Sequence, residues 1–252
     1  MQTLTEVERL QQVYRGYSGR GFGESKWSAA NRGNQMILDE YRLRLGRLLA
    51  QAGLIPLRKQ RILDLGCGAG SRLATFLDWG AQPEKLFGVD LIPERIRAAR
   101  TNYPQLTFEL ANAEQLPFKD SSLDLVLVST VFSSILDHSM TANICREISR
   151  VLIFGGAVAW YDFRMPNPLN RHVRGISRRK IQELFPSYEL ELETITLLPP
   201  LARRLGALTD ALYPALSSIA FFRSHYLGLL IKPCPRLRDP STGNLHAHHP
   251  FL

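Results

Sequence analysis

Residues 62–70 read Ile-Leu-Asp-Leu-Gly-Cys-Gly-Ala-Gly, and this stretch decides the fold of the chain. A short apolar run ends in an acid, Asp64, and then in glycines at every second position. Glycine lets the backbone adopt positive φ and lets a ligand come close where a Cβ would clash. We therefore predict a buried strand, a tight ligand-binding loop and a helix over residues 71–79.

The spacing of the glycines separates two kinds of nucleotide site. The dinucleotide fingerprint G-x-G-x-x-G would need a glycine at position 71, where the chain has Ser71. In addition, the carboxylate of Asp64 would repel a pyrophosphate. The stretch therefore argues against a nicotinamide cofactor.

Four more segments follow in a fixed order and carry a family resemblance. Leu86–Asp90 is a second short apolar strand that ends in an acid, and Leu123–Ser129 is another apolar strand. Residues 108–118 lie between them, and residues 150–156 supply a helix end followed by a glycine turn. Together with the glycine-rich stretch, these segments resemble class I S-adenosylmethionine-dependent methyltransferases of the type 11 kind.

The resemblance implies an architecture. It predicts an α/β fold with a seven-stranded, Rossmann-like, doubly wound sheet, in which the last strand lies antiparallel between the fifth and the sixth. An N-terminal helical cap at 1–50 would precede the methyltransferase domain at 51–235, with insertions at 166–176 and 200–222, and 236–252 would be a poorly ordered tail. The hydrophobic pattern places strands at residues 61–65, 85–90, 106–111, 123–129, 156–162, 188–197 and 226–231.

The resemblance also implies the cofactor, S-adenosylmethionine, with S-adenosylhomocysteine as the product. Asp90 would hold the ribose hydroxyls, and Asn112 would face the adenine at a position where the family usually has Asp. The end of the fourth strand would pass the methionine part of the cofactor. The residues that the resemblance places around the cofactor are Asp64, Gly66, Cys67, Gly68, Gly70, Asp90, Leu91, Asn112, Ala113, Glu114, Ser129 and Thr130.

The substrate side is predicted in the cap and in the segment after the fifth strand. The cap should be helical except for a break at residues 14–23, which are rich in glycine and aromatic side chains. Tyr14, Tyr17 and Trp27 are candidates for a lid over the sulfonium, whose charge an aromatic face attracts, although plain packing explains them equally well. The cations that would suit an anionic or polyhydroxylated acceptor are Arg164, Arg171 and Arg174.

A hydroxyl acceptor could also need a general base within hydrogen-bond reach. The candidates on the predicted substrate side are His138, His172 and Asp162. Two of them, His138 and Asp162, also have a structural interpretation. Asp137 and His138 would cap the helix that follows them, and Asp162 would be a strand-end acid.

The composition narrows the class of protein. The chain has 252 residues, a formal net charge of +8 and three cysteines that form neither a disulfide framework nor a metal-ligand spacing. With no signal-like N-terminus and no apolar run of membrane-spanning length, this predicts a cytoplasmic protein without a metal site. The positive net charge makes nucleic acid, an anionic substrate and an anionic membrane surface candidate partners.

Two features argue against nucleic acid. Residues 129–132 lack the Asn- or Asp-Pro-Pro-aromatic loop of enzymes that modify amino groups, and neither Cys145 nor Cys234 is placed for carbon-5 methylation of a pyrimidine. We therefore predict methyl transfer to a hydroxyl of a small molecule or glycan. Residues 160–164 and 167–176 resemble an uncharacterised bacterial branch associated with surface-polysaccharide or glycolipid gene clusters.

Two alternatives stay open. One is a SAM-binding protein without turnover. The other is methylation of a quinone or another lipid-like acceptor, with peripheral contact to the inner membrane face. In that case the apolar region 205–222 would be a helix at the membrane interface, whereas its spacing suits a core-facing helix equally well. The residues with this spacing are Leu201, Leu205, Leu208, Leu212, Leu216 and Ile219.

Overall fold

The structure is a computed structural model, which describes residues 4–19, 28, 30–166 and 170–234. Within these ranges seven strands form one sheet in the order β3-β2-β1-β4-β5-β7-β6, and β7 runs antiparallel to both of its neighbours. The predicted doubly wound α/β sheet is therefore confirmed. The strands are β1 (Ile62–Leu65), β2 (Leu86–Asp90), β3 (Thr107–Leu110), β4 (Leu123–Ser129), β5 (Leu152–Phe163), β6 (Glu189–Leu197) and β7 (Arg223–Ile231).

Helices cover both faces of the sheet. Three of them begin at a polar side chain that accepts a hydrogen bond from a backbone N–H of the first turn, namely Asn31, Asp137 and Ser177. The α-helices of the described residues are α1 (Glu6–Gly19), α2 (Arg32–Gln51), α3 (Ser71–Ala74), α4 (Pro93–Asn102), α5 (His138–Val151), α6 (Arg178–Leu184), α7 (Pro199–Ala202) and α8 (Thr209–Ser218).

The sheet separates two apolar layers. Along β4, Leu125 and Leu127 pack with side chains of α2 and α4, whereas Val126 and Val128 pack with side chains of α5 and α6. This alternation follows from the two-residue period of a strand. Because β1, β2, β4 and β5 are parallel, their carboxyl ends meet at one edge, where the loops that follow them can form a site.

The N-terminal helix runs further than predicted. α1 continues through Tyr14 to Gly19, across the first part of the break expected at residues 14–23, and residues 20–23 lie outside the described residues. Glycine inside a helix costs up to about 1 kcal/mol, and Gly16 stands in open space. The tertiary contacts of α1, described below, offset this cost.

Two other boundaries differ for local reasons. The helix expected at 71–79 is the short α3 followed by a 3₁₀ turn at Thr75–Trp79, where the Thr75 hydroxyl donates to the carbonyl of Arg72 at 2.6 Å. Such a local bond competes with regular helix. β5 begins at Leu152, four residues before the predicted start, because α5 ends there in an extended residue and Gly155 bends the strand with φ of 78°.

The apolar region at 200–222 is broken into short pieces. Gly206, with φ of 55°, begins a 3₁₀ turn between α7 and α8. The insertion before the last strand is helical as predicted, but it consists of short helices and not of one continuous helix. Leu201, Leu205 and Leu216 pack into a small apolar core, whereas Leu208, Leu212 and Ile219 are exposed. None of the described helices has the length and apolarity needed to cross a membrane.

Candidate active site

A cavity lies at the carboxyl ends of β1, β2 and β4, and α1 and α5 form its roof and one wall. It encloses about 810 Å³ of empty space, which includes its open mouth. Seven of the residues predicted around a cofactor line it, namely Gly66, Asp90, Leu91, Asn112, Ala113, Ser129 and Thr130. The strand ends therefore bring together residues that are up to 64 positions apart in the sequence, from Gly66 to Thr130.

Asp90 is the fixed anion of the cavity. One oxygen of its carboxylate accepts a hydrogen bond from the N–H of Gly68 and the other from the N–H of Ile92, each at 2.9 Å. The Arg95 guanidinium lies 3.8 Å away. Because each carboxylate oxygen has two acceptor positions, Asp90 can still accept from a ligand. Asp90 is only 5% exposed, and the two N–H groups hold its carboxylate in one orientation.

Asn112 is held by a neighbouring acid. Its amide oxygen accepts from the N–H of Glu114 at 3.0 Å, and its amide nitrogen donates to the Glu114 carboxylate at 3.2 Å. Glu114 also accepts from the Asn143 amide at 2.6 Å. Glu114 was predicted beside the cofactor, but it does not line the cavity. It braces Asn112 against α5.

The three loop glycines have different surroundings. All have positive φ, of 76°, 55° and 87° at Gly66, Gly68 and Gly70. A Cβ on Gly66 would lie 2.7 Å from Val131, and one on Gly70 would lie 2.7 Å from Phe108, whereas the space beside Gly68 is open. Gly70 therefore leaves room for the ring of Phe108 in β3 and does not line the cavity.

Cys67 points away from the cavity and fills space beneath β2. A Cβ on Gly88 would lie 2.9 Å from its sulfur. Burial, the largest cause, raises the pKa of the Cys67 thiol well above its ordinary value. The thiol is therefore protonated and unreactive at neutral pH, and Cys67 acts as a small packing residue in a position predicted to touch cofactor.

Behind the glycine loop lies a group of buried polar atoms without partners. Asp64 is 1% exposed, and among the described residues neither of its carboxylate oxygens has a hydrogen-bond partner. The hydroxyls of Tyr41 and Ser129 and one guanidinium nitrogen of Arg72 make no hydrogen bond of regular geometry among the described residues, although Tyr41 lies beside both Ser129 and Arg72. We call Tyr41, Asp64, Arg72 and Ser129 the inner polar cluster. Buried polar groups are normally hydrogen-bonded, so such a concentration calls for a ligand.

The inner polar cluster carries both signs of charge. The Arg72 guanidinium lies over the rings of Tyr41 and Tyr161, at 4.5 and 4.9 Å from their centroids. Burial raises the pKa of Asp64 to about 7, and the Asp90 carboxylate raises it further, whereas Arg72 lowers it. Sequence reasoning missed Tyr41 and Arg72. Their roles come from packing of α2 and α3 over the sheet, for which the sequence shows no motif.

α1 is tied to the loop after β4. The Glu6 carboxylate accepts from the N–H of Leu136 at 2.6 Å, and Arg9 donates to the carbonyl of Ser134 at 2.6 Å. Tyr14 lines the cavity, its hydroxyl lies 2.9 Å from that of Ser134, and the Arg95 guanidinium lies 4.0 Å from its ring centroid.

The other predicted lid residues lie elsewhere. Tyr17 accepts a hydrogen bond from the amide of Asn170 at 3.1 Å and does not line the cavity, and Trp27 lies outside the described residues. Of the predicted lid residues that the structure describes, Tyr14 lines the cavity and Tyr17 does not.

None of the three predicted bases lines the cavity. Asp162 is fully buried and its carboxylate accepts from the N–H groups of Ser133 and Phe163, at 3.0 and 2.8 Å. Burial, the largest cause, raises its pKa to about 6. Its role is to hold the loop after β4. His138 is exposed in the first turn of α5, and His172 lies in the insertion after β5.

The capping alternative for α5 is the one that the structure supports. The Asp137 carboxylate accepts from the N–H of Met140 at 2.6 Å.

The three predicted substrate arginines also lie outside the cavity. Arg164 donates to the carbonyls of Arg223 and Ala220, at 2.6 and 2.9 Å. Arg174 donates to the hydroxyl of Thr141 at 3.0 Å, and Arg171 is exposed. The described part of the insertion, 166 and 170–176, therefore braces the fold, and 167–169 lie outside the described residues.

A profile of the family described as a methyltransferase domain matches residues 63–160, from β1 to β5. Residues 63–160 therefore form a methyltransferase domain, and its sheet has the class I methyltransferase fold. The resemblance drawn from the ordered motifs is thus confirmed.

Similar proteins carry out several methyl transfers. The chain is 28% identical over 163 residues to the phthiotriol/phenolphthiotriol dimycocerosates methyltransferase of Mycobacterium leprae, covering 64% of this chain and 58% of that protein. It is 32% identical over 128 residues to the 27-O-demethylrifamycin SV methyltransferase of Amycolatopsis mediterranei, covering 46% and 44%. The chain spans about half the length of the curated relatives it matches.

A solved structure shares the fold. Geranyl diphosphate C-methyltransferase from Streptomyces coelicolor, in complex with Mg²⁺, geranyl diphosphate and S-adenosylhomocysteine, matches with a TM-score of 0.58 at 16% identity, over 75% of this chain and 80% of that one. At this identity the match speaks for the fold of the methyltransferase domain and not for its acceptor.

We predict that Asp64 lowers the stability of the ligand-free protein above neutral pH. Its pKa rises from 3.8 to about 7 on folding, so the folded state holds its proton more tightly than the unfolded chain. Ionisation therefore costs stability as pH rises from about 4 through 7, by roughly 4 kcal/mol. Asp64→Asn should raise the free energy of unfolding, measured with urea, more at pH 8 than at pH 5.

Asp39→Asn, at an exposed acid, is the matched control and should show no such difference. An Asp64→Asn variant whose gain is equal at both pH values would contradict the raised pKa, because Asp64 would then not change its charge between them.

Proposed function

We propose that the chain binds S-adenosylmethionine in this cavity and transfers its methyl group to a hydroxyl of a small, largely apolar acceptor. The observation that carries the proposal is the juxtaposition of the Asp90 carboxylate, the glycine loop and the inner polar cluster. The Asp90 carboxylate and the glycine loop suit a nucleoside. The cluster offers the carboxylate of Asp64 to the ammonium group of an amino acid and the guanidinium of Arg72 to its carboxylate.

The proposed placement runs from Asp90 to the inner polar cluster, of which Ser129 lines the cavity while Tyr41, Asp64 and Arg72 lie behind it. Asp90 would accept from the ribose hydroxyls, and Asn112 would face the adenine between Leu91 and Ala113. At the other end, Asp64 would accept from the ammonium group and Arg72 would bind the carboxylate. This occupancy would give the partnerless atoms of the inner polar cluster their hydrogen bonds, since a buried charge is stable only when paired.

The bound cofactor would supply a methyl group already activated by a sulfonium. The protein then has to align the acceptor oxygen with that methyl group and exclude water, and such positioning can lower a barrier by roughly 7–11 kcal/mol in the best cases. α1 closes the cavity from above, and Tyr14 and Ser134 present hydroxyls that can orient the acceptor.

The cavity wall favours an apolar acceptor. Leu10, Ile135, Met140 and Ile144 line it on the α1 and α5 side. The arginines predicted to hold a sugar or an anion lie elsewhere, and the lining arginine, Arg95, is 3.8 Å from the Asp90 carboxylate. The name of one curated relative points the same way, because dimycocerosates are lipids. This observation favours the lipid-like alternative over a glycan. We place such an acceptor at a membrane surface, with the protein bound peripherally.

The residues that line the cavity indicate how acidic the acceptor hydroxyl has to be. The described lining residues include no histidine, lysine or glutamate, and their one carboxylate, Asp90, is committed to the ribose in this proposal. Burial, the largest cause, raises the pKa of Tyr14, so its phenol stays protonated at neutral pH. An acceptor that ionises without a strong base, such as a phenol or a quinol, suits this cavity.

We predict that Arg72 discriminates between two nucleosides that differ only in the amino-acid end. Arg72→Met should weaken binding of S-adenosylhomocysteine by roughly 1.5–3 kcal/mol, or about tenfold to a hundredfold, through loss of a charge-assisted hydrogen bond. Binding of 5′-methylthioadenosine, which lacks that end, should not change. Titration calorimetry measures both affinities.

Asp90→Ala is the matched variant, because it should weaken both ligands alike. Failure of the unchanged protein to bind S-adenosylhomocysteine would overturn the proposed function itself. Equal effects of Arg72→Met on the two ligands would overturn only the assignment of the amino-acid end.

The acceptor class can be measured directly. Incubation of the protein with S-adenosylmethionine labelled in the methyl group, and with lipid or aqueous extracts of the source cells, should label material in the lipid extract. Asp90→Ala should abolish this labelling. Label that enters only the aqueous extract would contradict the lipid-like acceptor, and a protein that binds the cofactor but labels neither extract would favour binding without turnover.

A further inference from the structure

An apolar stripe runs along the outer side of α8. Leu208, Leu212, Ala215 and Ile219 recur at spacings of three and four and are all exposed, and Phe221 follows with 76% of its surface exposed. We call these five residues the α8 stripe. Single exposed apolar residues are ordinary, whereas a continuous stripe marks an interaction site.

The inward side of α8 explains why this stripe is turned outward. Thr209 and Tyr213 are buried, and the Tyr213 hydroxyl donates to the Glu40 carboxylate of α2 at 2.7 Å. This bond and the small core between α2 and α8 fix the rotation of the helix. The α8 stripe therefore stays on the surface of the folded protein.

The α8 stripe lies at the same edge of the sheet as the cavity. Its segment joins the end of β6 to the start of β7, where Leu197 pairs with Arg223. The end of β5 is tied to it, because Arg164 donates to the carbonyl of Ala220 at 2.9 Å. Since β1, β4 and β5 are parallel, the cavity and the stripe occupy the carboxyl edge together.

Cations outnumber acids around the α8 stripe. Arg204 is exposed one turn before Leu208. Arg32 is paired with Asp210 at 2.6 Å, and the carboxylate of Asp39 lies near it, so these two acids offset part of the charge. The arginines that border the stripe are Arg32, Arg164, Arg204 and Arg223.

We propose that the α8 stripe docks the protein on an anionic lipid bilayer. Its apolar side chains enter the boundary between head groups and acyl chains, and the bordering arginines lie at the level of the lipid phosphates. A second copy of the chain would bring the same positive border against itself, which repulsion opposes. The inference rests on the lipid-like acceptor of the proposed function, which this docking would deliver to the edge where the cavity lies.

Vesicle binding tests the docking surface without any substrate. The full chain is mixed with vesicles of phosphatidylcholine alone or of phosphatidylcholine with phosphatidylglycerol, and the bound fraction is measured by flotation. The unchanged protein should bind the anionic vesicles and be released by salt. Phe221→Ser should lower the partition coefficient about tenfold, because one large apolar side chain no longer enters the bilayer.

Phe154→Ser is the matched control. Phe154 is also exposed, at 50%, and has a cation, Lys232, 4.5 Å from its ring centroid, but it lies near the start of β5 at the opposite edge. Its variant should bind vesicles as the unchanged protein does. Circular dichroism and S-adenosylhomocysteine binding check that both variants are folded.

Three results would overturn the proposal. They are no binding to anionic vesicles, equal loss in the two phenylalanine variants, and a concentration-dependent dimer in ultracentrifugation that Phe221→Ser abolishes, since the occupant would then be a second copy. Vesicle binding and methyl transfer are separate readouts. A protein that binds vesicles yet labels no lipid would leave the docking surface standing while the acceptor proposal fails.

Discussion

The carboxylate of Asp90 joins two loops that the rest of the site depends on. By accepting from the N–H groups of Gly68 and Ile92, it fixes the glycine loop after β1 against the turn after β2. Both loops would otherwise leave backbone donors without partners next to a cavity, where an unpaired N–H is costly. A ligand that binds there meets a preformed surface and does not have to order it.

A second constraint acts from the opposite side of the glycine loop. The inner polar cluster places an acid and a cation in an apolar layer, with several of their hydrogen bonds unmade among the described residues. Such an arrangement lowers the stability of the free protein and raises the affinity for a ligand that supplies both opposite charges. The fold thus carries, at Asp64 and Arg72, a cost that binding would relieve.

The sequence was sufficient for the sheet and for eight of the residues that line the cavity. Gly66, Asp90 and Asn112 stand at strand ends, and the carboxyl ends of parallel strands meet regardless of which helices cover them, so their convergence could be predicted. The short-range signals also worked at Asp137, whose capping bond lies within one helical turn.

What the sequence could not show depends on packing between distant elements. Tyr41 and Arg72 meet because α2 and α3 pack into the same apolar layer of the sheet. Tyr14 reaches the cavity because Glu6 and Arg9 hold α1 on the loop after β4. For the same reason the predicted bases were misplaced. Asp162 lies near the end of the right strand, but it is buried and held by backbone N–H donors, and His172 lies in the insertion and does not line the cavity. Strand order fixes an edge of the sheet, and the direction of each side chain at that edge depends on its neighbours.

The most direct test of this account is a crystal structure of the full chain with S-adenosylhomocysteine. We expect both ribose hydroxyls at about 3 Å from the Asp90 carboxylate, the ligand's ammonium group on Asp64 and its carboxylate on Arg72. A ligand that lies in the cavity with its amino-acid end turned to solvent, leaving the inner polar cluster without partners, would contradict it.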